Sequence, residues 1–165
     1  MSARNPSFRN GLYAGLLIAF CLGLYLFQLW EPAKQVRLHS EHLLGALEEK
    51  DWSRVGDFVD ASYADQWGHD RAELLTRLRQ VLPYARNLHL VAREAIAQGE
   101  DGVGRWHARI TVEADPNEIS EMIKQRVNHL TEPFVLEWRR VSARPWDWKL
   151  VRVSNPVLEL NESAL

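Results

Sequence analysis

From Gly11 to Trp30 the chain reads GLYAGLLIAFCLGLYLFQLW, a run with no charged side chain and one strongly polar one, Gln28. As a helix rising ~1.5 Å per residue it covers ~30 Å, the thickness of the hydrocarbon layer of a bilayer. The expectation is a transmembrane anchor over residues 11–30, with the lipid bilayer as its partner. Tyr25 and Trp30 suit the interface, where amphipathic rings settle. A cleaved signal peptide fits poorly. The run exceeds the usual apolar stretch of about 7–15 residues, and Gln28, Leu29, Trp30, Glu31 and Pro32 offer no small-residue cleavage site. Phe20 before Cys21 argues against a lipidation motif. Arg4 and Arg9 precede the run, whereas Lys34 and Arg37 after it are mixed with Glu31 and Glu41. That bias puts residues 1–10 in the cytoplasm. The rest would lie outside it, as in a single-pass protein of a bacterial inner membrane. Gly11, Gly15, Ala19 and Gly23 recur every four residues, a small-residue stripe that lets two helices pair closely.

The remainder predicts one domain over 31–155 and a short tail over 156–165. Pro32 opens a helix with Val36, Leu43, Leu44 and Leu47 on one face. Lys50 to Ser53 interrupt it, and a short helix follows with Val55, Phe58 and Val59 inward. Asp70 with Glu73 forms a capping box for a third helix, carrying Leu74, Leu75, Leu78, Val81 and Leu82 and ended by Pro83. The period then becomes two. Leu88, Leu90 and Ile96 share a strand face, and Asp101-Gly102 makes a hairpin turn. Trp106, Ala108, Ile110, Val112 and Ala114 face one way on the return strand, and His107, Arg109, Thr111 and Glu113 the other. This long ribbon is expected at the heart of the sheet. Asp115-Pro116-Asn117-Glu118 predicts a second capping box with proline at the first helical position, for a helix with Ile119, Met122, Ile123, Val127 and Leu130 on one side. Two further strands carry Phe134, Leu136 and Trp138, then Trp148 and Leu150. Helices first and an antiparallel meander after predict an α+β class, with helices on one face of a curved sheet.

Chemistry is sparse. The single cysteine, Cys21, gives neither a disulfide nor a zinc cluster. His39 and His42 are three apart on a helix, yet no third ligand completes a metal site, and no cofactor motif is present. A net charge of -2 gives no field for nucleic acid. Arg139, Arg140, Arg144, Lys149 and Arg152 make the last hairpin basic, which reads as a solvated surface.

The segment Ala46-Leu47-Glu48-Glu49-Lys50-Asp51-Trp52 resembles the nuclear transport factor 2-like superfamily, which includes ketosteroid isomerases and polyketide cyclases. So do Phe58-Val59-Asp60, Tyr63-Ala64-Asp65-Gln66-Trp67-Gly68, Asp70-Arg71-Ala72-Glu73-Leu74-Leu75 and Trp148-Lys149-Leu150-Val151-Arg152-Val153. The resemblance covers roughly Ala33 to Asn155. It implies a cone-shaped domain, a curved sheet wrapped around helices with a pocket in the open end, and a tendency to form homodimers. It also implies an apolar pocket lined by Tyr63, Trp67, Trp106 and Trp138, for a small apolar ligand. The isomerase-type enzymes need a carboxylate base and an oxyanion donor, for which Asp60, Asp65, Tyr63, Tyr84 and His107 are the raw material. No pair of these is fixed by spacing, so no catalytic residue is assigned. The segment Asn117–Leu130 is longer than the simplest members need. The layout of one span and one cone is similar to the inner-membrane scaffold of type IV secretion machines. The leading expectation is thus a non-enzymatic domain that self-associates or joins an envelope complex. The alternative is ligand binding, or isomerase- or cyclase-like catalysis, in the cone. An empty cone with a buried carboxylate would favour the alternative, and a filled cone with an apolar outer sheet the first.

Overall fold

The computed structural model describes residues 6–158; residues 1–5 and 159–165, parts of the expected N-terminal segment and tail, lie outside the described residues. Helix α1 spans Pro6–Leu29, α2 Pro32–Glu48, α3 Trp52–Phe58 and α4 Arg71–Val81, followed by a 3-10 turn over Leu82–Tyr84. Strands β1 (His89–Glu100) and β2 (Val103–Glu113), helix α5 (Glu118–Asn128), and strands β3 (Phe134–Arg140) and β4 (Trp148–Ser154) complete the chain.

The expected membrane-spanning helix is corrected. A helix forms there, but among the described residues no helix is long and apolar enough to cross a membrane. The side chains described within α1 are those of Gly11 to Leu26. The fold class is α+β, without the spanning helix. Those residues are exposed, and none of them joins the core.

The four strands pair in the order β1-β2-β3-β4, antiparallel throughout. β1 is therefore an edge, and the long ribbon is not central as expected. Helix α2 lies against β1 and β2, burying Val36, Leu43, Leu44 and Ala46. The Glu48 carboxylate accepts the Leu90 N–H at 2.5 Å, tying the helix end to the edge strand. At the opposite edge, residues 59–66 run beside β4. The N–H groups of Asp60, Ala64 and Gln66 donate to the carbonyls of Leu150, Val151 and Val153 at 2.9, 3.1 and 3.3 Å. Sheet edges left bare invite aggregation, and this segment covers one of them.

The expected face of β1 fails at one place. Arg93 pairs with Arg109 and Ile96 with His107, so β1 holds one extra residue there. Glu94 adopts φ 53° in that bulge. An inserted residue reverses the alternation. Ile96 consequently points outward, 59% exposed, while Ala97 packs on the core opposite Trp106. The hairpin turn forms as expected, with Asp101 at φ 48° and Gly102 at φ 80° between paired Glu100 and Val103.

The capping box of α4 forms as predicted: Asp70 accepts from the Glu73 N–H, and Glu73 from the Asp70 N–H. That of α5 is displaced. Asn117, not Asp115, is the cap, and its partner is Ser120 rather than Glu118. Asp115 instead accepts from the Asn87 side chain at 2.9 Å. The closed end of the cone is filled by Val36, Trp106, Trp138 and Trp148. Gly104 is needed there, since a Cβ on it would stand 2.1 Å from Val36 Cγ2.

Candidate functional site

The other end of the cone is not filled. Inside it lies a chamber of about 270 Å³ lined only by Leu, Val, Ile and Phe side chains, among them Leu44, Leu78, Ile110 and Phe134. Its walls come from α2, α3, α4, α5 and every strand. A polar group placed in such a lining finds no partner, so the chamber favours hydrocarbon.

A second cavity of about 310 Å³ adjoins it, sharing Leu74, Leu78, Leu82, Ile123 and Val127. This one has polar walls as well: Asp65, Trp67, His69, Arg77 and Arg126. It is the mouth of the cone, bounded by α4 on one side and α5 on the other. Helix α5, in the segment expected to be long, thus forms one lip of the site. A larger, shallower groove of about 670 Å³ between α4 and α5 lies beside it, lined by mixed residues including Glu73, Gln80 and Tyr84.

Asp65 organises the mouth. One carboxylate oxygen accepts the N–H groups of Trp67 and His69 at 2.9 and 2.8 Å. The other accepts from His69 Nδ1 at 3.0 Å. Both residues are buried, each 7% exposed. Because a carboxylate oxygen accepts, the proton of this bond is carried by Nδ1. Among the described residues Nε2 has no hydrogen-bond partner. Trp67 is held by its own Nε1–H, which donates to the Leu158 carbonyl at 2.8 Å.

The residues singled out from the sequence separate. Trp67 lines the mouth. Tyr63, Trp106 and Trp138 are buried in the core cluster, and among the described residues the Tyr63 hydroxyl and both indole N–H groups have no hydrogen-bond partner within 3.5 Å. Burial pushes the Tyr63 phenol pKa up, and the nearby Asp65 carboxylate raises it further. Asp60 is committed elsewhere: its Oδ1 accepts from the Ser62 N–H and hydroxyl, each at 2.8 Å, and from Arg139 at 3.1 Å. Burial pushes its pKa up, but those bonds outweigh it and hold the carboxyl below its ordinary value. Tyr84 is exposed, and His107 lies on the outer sheet face. His39 sits between the Gln35 and Trp146 carbonyls at 2.8 and 3.0 Å. Burial keeps its pKa below the ordinary value, against the pull of those two acceptors. Gly11, Gly15 and Gly23 face open space on α1. In the basic hairpin, Lys149 donates to the Asp57 carbonyl at 2.5 Å.

Sequence reasoning passed over the pairing of Asp65 with His69, and over Arg77 and Arg126. The four-residue step from Asp65 to His69 was available as a signal, but residues 65–69 form a turn rather than a helix, so the step alone carried no geometry. Arg77 and Arg126 lie far apart in sequence on two different helices, and only the folded chain brings them to one cavity.

No family model matches the chain, and no curated protein matches its sequence. Solved structures do match its shape. One is a nuclear transport factor 2-like protein of unknown function from Pseudomonas putida, with TM-score 0.55 and 8% identity over 73% of this chain and 82% of that one. Another is the S. rosetta CaMKII hub, with TM-score 0.54 and 17% identity over 74% and 93%. A third is Bdellovibrio bacteriovorus Bd1075, with TM-score 0.54 and 10% identity over 70% of this chain but only 36% of that one. The fold is therefore nuclear transport factor 2-like. At such identities the likeness defines the fold alone, and function must be argued from the site.

Proposed function

We propose that this domain binds a small, largely apolar molecule in the cone. The observation that carries the reading is the chamber lined by hydrocarbon alone, opening at a mouth where the polar groups gather. A buried carboxylate at that mouth points the same way. The outer face of the sheet, by contrast, is mixed: Val91, Ile96 and Val103 are exposed among charged pairs, Arg105 with Glu137 at 3.7 Å and Arg109 with Glu94 at 3.4 Å. These observations move ligand binding ahead of assembly through the sheet. The Asp65–His69 pair also has the side chains of a general base: an orienting carboxylate and an imidazole, both lining the cavity. Isomerase- or cyclase-like proton transfer is the catalytic form of the same reading.

The test is native mass spectrometry of the full chain purified gently from its own host. A reproducible small-molecule adduct, lost when Ile123 is changed to Trp, supports the reading. A protein of bare mass that also takes up no apolar dye in the chamber rejects it.

One observation favours self-association as a second activity. Helix α1 exposes large apolar side chains, including Leu16, Leu17, Ile18 and Phe20 at 59 to 64%. A second copy of α1 packed along Gly11, Gly15, Ala19 and Gly23 would cover the part of that surface flanking the stripe, Leu12 and Leu16 among it. Sedimentation of the wild type against a Gly15→Ile, Gly23→Ile variant measures this. Equal association of the two rejects that stripe as the contact.

A further inference from the structure

We propose that the ligand is an amphiphile with a single carboxylate, its head held at the mouth between Arg77 and Arg126 and its aliphatic arm in the chamber. This rests on the ligand-binding reading and specifies its chemistry.

The two arginines carry the inference. Each is half-buried and lines the mouth cavity, Arg77 from α4 and Arg126 from α5. Among the described residues neither has an ion-pair or hydrogen-bond partner. Acidic groups lie close in sequence but are turned to other work. Glu73, one turn before Arg77, caps its own helix, and Glu121 pairs with Lys124 at 2.6 Å. Two unpaired guanidinium groups against an apolar rim lose hydration and gain nothing within the fold. An anion between them restores the balance, and the guanidinium fork matches a carboxylate in two-point geometry.

The local charge sets the valence of the head. Asp65 and His69 line the same cavity; with the imidazole counted as neutral, two arginines less one carboxylate leave a balance of one positive charge. Asp65 itself is satisfied by three donors and does not need the arginines. A singly charged head is neutralised there, whereas a doubly charged one is not.

The chamber sets the arm. An apolar cavity of about 150 Å³ accepts benzene. One of about 270 Å³ therefore takes an arm on the order of ten carbons. Only Leu, Val, Ile and Phe line it, so the arm carries no polar group beyond the head.

Calorimetric titration of the full chain, below micelle-forming concentrations, tests each part. The probes are decanoate, decanol, butyrate and decyl phosphate. The expected result is saturable binding of decanoate, with decanol and butyrate each weaker by tenfold or more. Arg77→Gln and Arg126→Gln should each weaken decanoate about tenfold and leave decanol unchanged, which also certifies that the variants are folded. Decanol binding as tightly as decanoate, with no effect of either arginine variant, would overturn the head-group assignment and leave the chamber reading intact. Decyl phosphate binding more tightly than decanoate would overturn the single charge. Failure of decanoate and decanol alike would remove both this inference and the reading beneath it.

Discussion

Asp65 has more depending on it than any other single side chain at the site. Its two oxygens accept three N–H groups in a buried turn. Removing the acceptor leaves buried donors unsatisfied, at a cost of about 1–3 kcal/mol. Asp65→Ala is therefore expected to lower stability by that amount in urea titration. Asp65→Asn should do less harm to the fold but more to the dyad. An amide can present N–H to His69, and the imidazole then moves its proton from Nδ1 to Nε2. Nitrogen NMR of the ring is the check; an unchanged tautomer would mean that Asp65 does not set it. Gly104 shows a different dependence, on space. The 2.1 Å approach of a built Cβ to Val36 leaves no room for a methyl group without moving α2. Gly104→Ala should cost about 1–3 kcal/mol of stability. The sequence displayed this glycine plainly, but not the helix above it, and so gave no reason to single it out.

Elements were legible in the sequence wherever one local rule decided them. The Asp70–Glu73 box and the Asp101-Gly102 turn are contained in their own few residues, and both formed as read. The strand face of β1 was misread past Arg93 because period-two counting assumes no insertion. Only pairing with β2 exposes the extra residue. The same correction makes a prediction. Ile96→Asp should change stability by no more than about 0.5 kcal/mol, as expected of an exposed site. Ala97→Asp should cost about 2 kcal/mol or more, since it drives a charge against Trp106. The reverse order in chemical denaturation would restore the unbulged register. The α5 cap moved for a related reason: Asp115 was taken by Asn87, a partner 28 residues away that no local motif contains. The segment beside β4 has a pH signature. Arg139 and Ser62 hold the Asp60 pKa below its value of 3.8 in an unfolded chain. Its contribution is thus fully present above about pH 4 and fades as pH falls through the lower, folded value. Asp60→Asn should flatten that part of the stability profile between pH 4 and 2.

At the scale of the molecule, the cone divides its labour along its axis. Three tryptophans and Val36 close one end, and the space left at the other is bounded by α4 and α5. Neither half of that division was visible as sequence. Aromatic residues look alike whether they fill a core or line a pocket, and Trp106 and Trp138 do the first while Trp67 does the second. The empty space itself is a property of how far helices stand from the sheet, to which hydrophobic periodicity is blind. A chamber lined with hydrocarbon and left open lacks packing contacts that a filled one would have, so filling it has a predictable sign. Ile123→Trp places a larger apolar side chain where the chamber meets the mouth. The variant should fold with stability within about 1–3 kcal/mol of the wild type. It should fail to respond to ligand. A wild-type chain at a ligand concentration of about 100 times Kd gains roughly 2.7 kcal/mol. For a protein of this size that raises Tm by about 5–10 °C. Decanoate should produce that rise in the wild type and none in Ile123→Trp. An equal rise in both would mean that the ligand sits elsewhere, and the groove outside α4 and α5 would then be the place to look.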